Sequence, residues 1–185
     1  VFSHLAASGN SKHDPFTRDQ IKRFDHMCSS LLHVLGEPFL QHILNSAGIE
    51  RFPDAQYTMV RLGIGLHGVG DSSLLKGASS FKTIVSQLRS VDAGETVGYS
   101  RNGLTRRRSS IATIPVGYAD GFHRSLGNGA GKVFVNGHYV PTIGDICMDM
   151  AMIDVTGIDV SEGDLVELFG EHQPVSELAK QAGTI

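Results

Sequence analysis

Residues 14–36, DPFTRDQIKRFDHMCSSLLHVLG, open on an Asp-Pro pair and close on a glycine. Asp14-Pro15 offers a capping carboxylate followed by a proline suited to a helix's first turn. Ile21, Phe24, Cys28, Leu31, Leu32 and Leu35 recur at spacings of three and four, and Gly36 stands where a helix stops. The spacing predicts a helix over 15–35 with one apolar face.

On either side of that helix the chain is β-like. Residues 1–6, 39–44 and 57–66 read as strands, the second ending at Asn45-Ser46-Ala47-Gly48 and the third in a glycine-rich turn. Strand, helix, strand, short crossover, strand is the grammar of a parallel α/β layer. A closed eight-stranded barrel needs about 250 residues, so residues 1–75 read as the last strands of one. From Lys76 the pattern changes to short β runs at 82–91, 110–116, 132–135, 139–143, 152–155 and 165–169, with a short helix over 174–181. The expected fold class is α/β followed by all-β: the C-terminal part of a (β/α)8 barrel over 1–75 and a β domain over 76–185, incomplete as it stands.

With 185 residues and 41% hydrophobic content the chain can bury a core. Its formal charge of −3 gives no reason for nucleic acid or an anionic membrane to attract it. The apolar runs are far shorter than the roughly 20 residues of a membrane-spanning helix, and the chain reads as cytoplasmic. Cys28 and Cys147 lie in apolar contexts that suit reduced thiols, and no spacing suggests a metal site.

Several residues have chemical promise. Ser46 offers a hydroxyl after one strand, and Gly63-Ile64-Gly65 lets backbone approach an anion after another; tight turning is the ordinary alternative. Arg61, in Met59-Val60-Arg61-Leu62, falls on the face opposite Val60 and Leu62. If that face is interior, the guanidinium must find partners, because its charge cannot be neutralised; otherwise it snorkels at a strand edge. His4 poses the same choice. Arg106, Arg107 and Arg108 form a charge run in an expected β-hairpin loop, read as solvated.

Four motifs stand in order: HILNSAGIERFP from His42, RLGIGLHG from Arg61, PVGYADG over 115–121 and ICMDM around Met148. Together they resemble bacterial alanine racemases, which use pyridoxal 5'-phosphate, and the resemblance covers essentially the whole chain. It implies interconversion of L- and D-alanine by a homodimer with shared sites, supplying D-alanine for peptidoglycan. The family's Schiff-base lysine belongs to a motif near the barrel's start. None of Lys12, Lys22, Lys76, Lys82, Lys132 and Lys180 stands in such a motif, so the isolated chain is expected to be inactive.

The resemblance also implies roles. Removing a proton from one face of Cα and returning it to the other calls for a base on each side. Tyr118 of the GYADG run corresponds to the second base, touching substrate and reaching the partner subunit's site. A phenol that accepts a proton near neutral pH needs positive groups nearby. His4 and Arg61 are implied as a hydrogen-bonded set around tyrosine and cofactor. Arg61, facing the pyridine nitrogen, would leave it unprotonated and limit side reactions. Ser46 and backbone groups of Gly63 and Ile64 would hold the phosphate, and a further phosphate-binding tyrosine would fall beyond Ile185. The Met148 amide would meet the substrate carboxylate, Asp149 would stand at the entrance, and Asp120 would stabilise the turn around Tyr118. Asp145 departs from the arginine that many relatives carry there. The alternatives are a non-catalytic cofactor-binding or dimerisation module of a larger fused protein, and a racemase of broader specificity that takes serine.

Overall fold

The computed structural model describes residues 1–70 and 75–184, which form two compact units, Val1–Ala78 and Ser79–Ile185. In the first, helix α1 (Asp14–Leu35) ends at Gly36, whose positive φ of 72° lets its N–H turn back to the Leu32 carbonyl. Asp14 is not the cap expected from its sequence. It is the first helical residue after His13, and its carboxylate accepts from Arg51 Nη2 at 2.6 Å, tying α1 to helix α2 (Ser46–Arg51). Phe24 and Cys28 of α1 bury against Leu5, Ile43, Leu44, Phe52 and Ala55, whereas Leu32 and Leu35 remain exposed.

The strands expected over 1–6 and 39–44 are reduced to one parallel bridge, Phe2 with His42. Around it the Ser3 N–H donates to the His42 carbonyl and the His42 N–H to the Val1 carbonyl, both at 3.2 Å. A third extended segment joins through Thr58 N–H to Gln41 O at 3.2 Å and Arg61 N–H to Leu44 O at 3.1 Å. Three segments thus run side by side in the same direction without a continuous ladder. Slanted parallel bonds are the weaker kind, and the Thr58 hydroxyl takes a place in the pairing, accepting from the Gln41 N–H at 2.6 Å and donating to the Gln41 carbonyl at 2.8 Å. The strand expected over 57–66 also fails beyond Arg61: glycines at 63, 65 and 68 turn the chain into a 3-10 helix, Ile64–His67.

The second unit is built from β1 (Phe81–Ile84), β2 (Gln87–Val91), β3 (Thr96–Val97), β4 (Gly103–Leu104), β5 (Ser109–Ile114), β6 (Lys132–Val135), β7 (His138–Pro141), β8 (Ala151–Asp154) and β9 (Leu165–Phe169), followed by helix α3 (Val175–Ala182). They pair antiparallel as β1-β9-β6-β7, β2-β5-β8 and β3-β4. Alternating side chains such as Val133 and Val135 of β6, and Ala112 and Ile114 of β5, meet Ile153 of β8 in one core with Phe122 and Leu168.

The single run expected over 82–91 is two strands of different sheets. At the corner, buried Val85 donates its N–H to the Asp164 carbonyl and Ser86 donates to the Thr113 carbonyl. The arginines at 106–108 do not occupy a hairpin loop, because β4 pairs with β3 and β5 with β2; Arg108 and Arg107 stand 3.8 Å from Asp92 and Asp154. Among the described residues no helix is long and apolar enough to cross a membrane, and no cluster of His, Cys, Asp or Glu could hold a metal ion.

Glu167 of β9 is buried, yet its carboxylate accepts from the backbone of His172 at 2.8 Å and Gln173 at 3.3 Å, with Lys82 Nζ at 3.6 Å. Burial pushes its titration up, but the His172 and Gln173 amides and the His172 ring outweigh that and hold it below the usual glutamate range. Its contribution is therefore complete above the ordinary value of about 4.3 and fades as pH falls toward the lower folded value. Glu167→Ala should cost about 1–3 kcal/mol at pH 7 in urea denaturation, by leaving buried amides unpaired. Glu167→Gln should flatten the loss of stability between pH 5 and 3.

Candidate active site

In the first unit Arg61 is half-buried, and its side chain reaches the segments of Ser3 and His42. Its Nη2 donates to the Ser3 carbonyl at 2.8 Å and to His4 Nδ1 at 3.1 Å, and its Nη1 donates to His42 Nδ1. The carbonyls of His42 and Ile43 lie at 3.4 Å, and the guanidinium stands 5.7 Å from the centre of the Phe2 ring. This is the partnered arrangement, not a snorkelling arginine. Because arginine only donates, the His42 Nδ1 that faces it is unprotonated, which leaves that ring's proton on Nε2 in the neutral form, while His4 Nε2 stands 3.4 Å from the Asn45 amide nitrogen. Burial, reinforced by the charge of Arg61 and the Val1 ammonium, pushes His42 below the ordinary histidine range and favours that form. His42 also stacks on Phe2, centroids 5.3 Å apart. The sequence reading quoted His42 only as the start of a motif; its spacing from Arg61 gave no sign of contact.

The expected anion turn is also assembled. Asn45 caps α2 by accepting from the Gly48 N–H at 3.0 Å, and Ser46 follows it. The Ser46 hydroxyl accepts from the Gly63 N–H at 3.0 Å and the Gly65 N–H at 3.2 Å, so it sits against the Gly63-Ile64-Gly65 backbone. A Cβ on Gly65 would lie 2.7 Å from Leu62 and 3.5 Å from the Ser46 hydroxyl, which keeps this close approach to glycine.

In the second unit the 145–150 loop is the centre. Its turn is closed by the Cys147 N–H donating to the Met150 carbonyl at 2.9 Å. The Tyr118 N–H donates to Cys147 O and the Ala119 N–H to Met148 O, both at 3.0 Å. Gly117 lies so close that a Cβ there would be 2.3 Å from both carbonyls. Asp120 accepts from the Gly117 N–H at 2.9 Å and closes the turn that presents Tyr118. The Arg124 guanidinium covers the Tyr118 ring at 4.4 Å, a cation–π contact.

Met148 and Asp149 line a cleft of about 440 Å³ together with Val97, Gly98, Tyr99, Cys147, Met150 and Met152. Tyr118 is not among its walls; the phenol there is that of Tyr99, 72% exposed. Tyr99 escaped the sequence reading because β3 and β4, which flank it, are two residues long and show no periodicity. Its one signal was Gly98-Tyr99 between two β-branched or apolar pairs. Cys147 and Cys28 are free thiols, and burial, then the charge of Asp145, push Cys147 above the usual cysteine range.

The two units define a protein class: an α/β unit with a partnered arginine and an anion-ready turn, followed in the chain by a β unit with a phenol-lined cleft. Comparison with known proteins gives the family. Residues 1–71 match the family model for the alanine racemase N-terminal domain and residues 78–185 that for the alanine racemase C-terminal domain, and the chain belongs to the alanine racemase family. It is similar to alanine racemase 2 of Caldanaerobacter subterraneus subsp. tengcongensis, 39% identical over 196 residues, covering all of this chain and 50% of that protein. Among solved structures it resembles the alanine racemase of Clostridium difficile 630 in complex with cycloserine, at a TM-score of 0.88 and 34% identity over all of this chain and 51% of that one. It also resembles that of Bartonella henselae with covalently bound pyridoxal phosphate, at 0.82 and 36% with the same coverage. The chain spans about half the length of the curated relatives it matches.

A lysine at position 61 would keep the charge but lose the two-pronged donor geometry that reaches both histidines. Arg61→Lys should therefore destabilise the first unit by about 1–3 kcal/mol, seen as faster amide exchange at Ser3, His42 and Arg61. Unchanged protection at these amides would show that Arg61 does not hold the segments together.

Proposed function

We propose that the full-length protein carrying this chain interconverts L- and D-alanine with pyridoxal 5'-phosphate, as a cytoplasmic homodimer with shared sites that supplies D-alanine for peptidoglycan. The observation that carries this reading is the cleft in which the Tyr99 phenol and the Met148 loop share one space. The three parallel segments support residues 1–75 as the closing part of a barrel, with 76–185 as the β domain.

The residues present fit the cofactor. Ser46 with the backbone of Gly63 and Ile64 would take the phosphate. Arg61, fixed by two histidines, would face the pyridine nitrogen and, being always charged, keep that nitrogen unprotonated. When bound, the cofactor supplies the electron withdrawal that makes the substrate's Cα–H acidic. His4, with its Nδ1 turned to Arg61, would belong to the hydrogen-bonded set around the cofactor. The Met148 amide would meet the substrate carboxylate, with Asp149 at the entrance.

A lysine outside these 185 residues would hold the proton on one face of Cα, and the isolated chain would be inactive without it. On the other face the resemblance gave Tyr118. Tyr118 is the proposed second base, its ring beside the Arg124 guanidinium at 4.4 Å, and Tyr99 lines the cleft with Met148.

The test is racemisation by the full-length protein with added cofactor, followed from both enantiomers. Tyr118→Phe should lower kcat about 10²–10⁴-fold, unequally in the two directions. Full activity in that variant would take the role of second base from Tyr118. Parent protein that turns over neither alanine nor serine would leave a cofactor-binding or dimerisation module, and equal turnover of L-serine would mark a broader racemase.

A further inference from the structure

We infer that Arg124 is a positioning residue for the second base: its guanidinium lies on the face of the Tyr118 ring, holds the ring in place and favours the electron-rich form of the phenol that can accept a proton. This rests on the reading of Tyr118 as the second base.

The placement of Arg124 follows from the backbone around it. Phe122 and Leu126, which flank it in the chain, are both buried in the core of the second unit. Between them the chain makes a 3-10 turn, Arg124–Leu126, in which the Leu126 N–H donates to the His123 carbonyl at 3.0 Å and the Gly127 N–H to the Arg124 carbonyl at 3.1 Å. The Ser125 hydroxyl donates to the Ala182 carbonyl at 2.9 Å, which fastens the turn to the end of α3. Gly127 closes it on the far side: a Cβ there would lie 3.0 Å from the Gly144 carbonyl oxygen and 3.3 Å from Ile146 N. The turn of Tyr118 belongs to the same piece, because the Phe122 N–H donates to the Gly117 carbonyl at 3.1 Å. Tyr118 and Arg124 therefore project from one fixed stretch of backbone.

What the guanidinium meets decides its use. Its central carbon stands 4.4 Å from the centre of the Tyr118 ring, well inside the reach of a cation–π contact. Among the described residues no carboxylate forms an ion pair with it. A weaker claim on its charge comes from Asp145: hydrogen bonds from Asn128 and Asn102, and then the field of Arg124, hold that carboxyl below its usual range. The Asp145 oxygens are taken up by the two asparagine amides, at 2.7 to 3.1 Å, so the carboxylate attracts the guanidinium without pairing with it. The cation is left to the ring. Tyr118 is 37% exposed, so packing alone leaves its ring room to move, and the stacked guanidinium narrows that freedom. A cation on a ring face is held by the ring's electrons. A phenol that has given up its proton carries more of them, so the attraction is strongest in the form that takes the proton from Cα.

Charge and cover can be separated, because methionine replaces the arginine's bulk without a cation and lysine keeps the cation. In the full-length, cofactor-loaded protein, Arg124→Met should lower kcat for alanine about fivefold, the size that a partly exposed cation–π contact allows, and Arg124→Lys should recover most of it. With alanine deuterated at Cα, the isotope effect in Arg124→Met should grow for the enantiomer whose proton Tyr118 takes and not for the other, an asymmetry that a merely loosened fold would not give. In the same protein without substrate, nitration by tetranitromethane, which attacks the phenolate, should slow several-fold at Tyr118 in Arg124→Met and not in Arg124→Lys, as read by peptide mass spectrometry. On a Tyr118→Phe background Arg124→Met should change nothing further. Arg124→Gln serves should the methionine variant not fold. An unchanged kcat, nitration that is unchanged or faster, isotope effects that move alike for both enantiomers, or an Arg124 effect that persists without the phenol would each overturn the inference. Tyr118→Phe in parallel separates it from the reading beneath. If Tyr118→Phe collapses turnover while Arg124→Met is silent, the second base stands and the role of Arg124 falls. If Tyr118→Phe keeps full activity, both fall.

Discussion

A guanidinium cannot shed its charge, and where Arg61 sits it must be met by acceptors. It finds them on every neighbouring segment of the first unit: the Ser3 carbonyl and His4 ring from one, the His42 ring and carbonyl and the Ile43 carbonyl from the next. The three segments share few ladder bonds, so this side chain does part of the work that a continuous sheet would do. It also decides the tautomer of the His42 ring.

The second unit reaches order by a different route. There the backbone itself is brought into contact, at Gly117 against the carbonyls of Cys147 and Met148 and at Gly103 against Gly144. Such approaches fix a loop more sharply than side-chain packing, since no rotamer can yield. Asp145 completes the arrangement by accepting from two asparagines on separate turns. The loops that form the cleft are consequently exposed to solvent yet bound to one another at their bases, which suits a site that must admit a small molecule without losing its geometry.

How much was legible varied with length and locality. Helix α1 could be read to within a residue, because its apolar period runs from Ile21 to Leu35 and Gly36 marks its end. The strands over 132–135 and 165–169 could be read to the residue, since a short β-prone run bounded by turn residues is a local signal. The corner at Val85 and Ser86 was hidden inside an uninterrupted β-like run, and only the pairing of its two halves with different sheets reveals it. Asp14 looked like a cap and turned out to be a partner for Arg51, a contact across 37 positions that no local pattern encodes.

The sequence alone determined the α/β-then-β order, the main helix, most β runs and the motifs that mark the family, because these depend on the period and identity of near neighbours. Tertiary structure alone decided that Arg61 is caged rather than solvated, that His42 belongs with it, that Tyr99 lines the cleft beside Met148, and that Asp145 accepts from asparagines of two turns. Each of these is a meeting of groups distant in sequence, and its energy comes from closing space around a charge or a hydrogen bond. That closure exists only once the chain has folded.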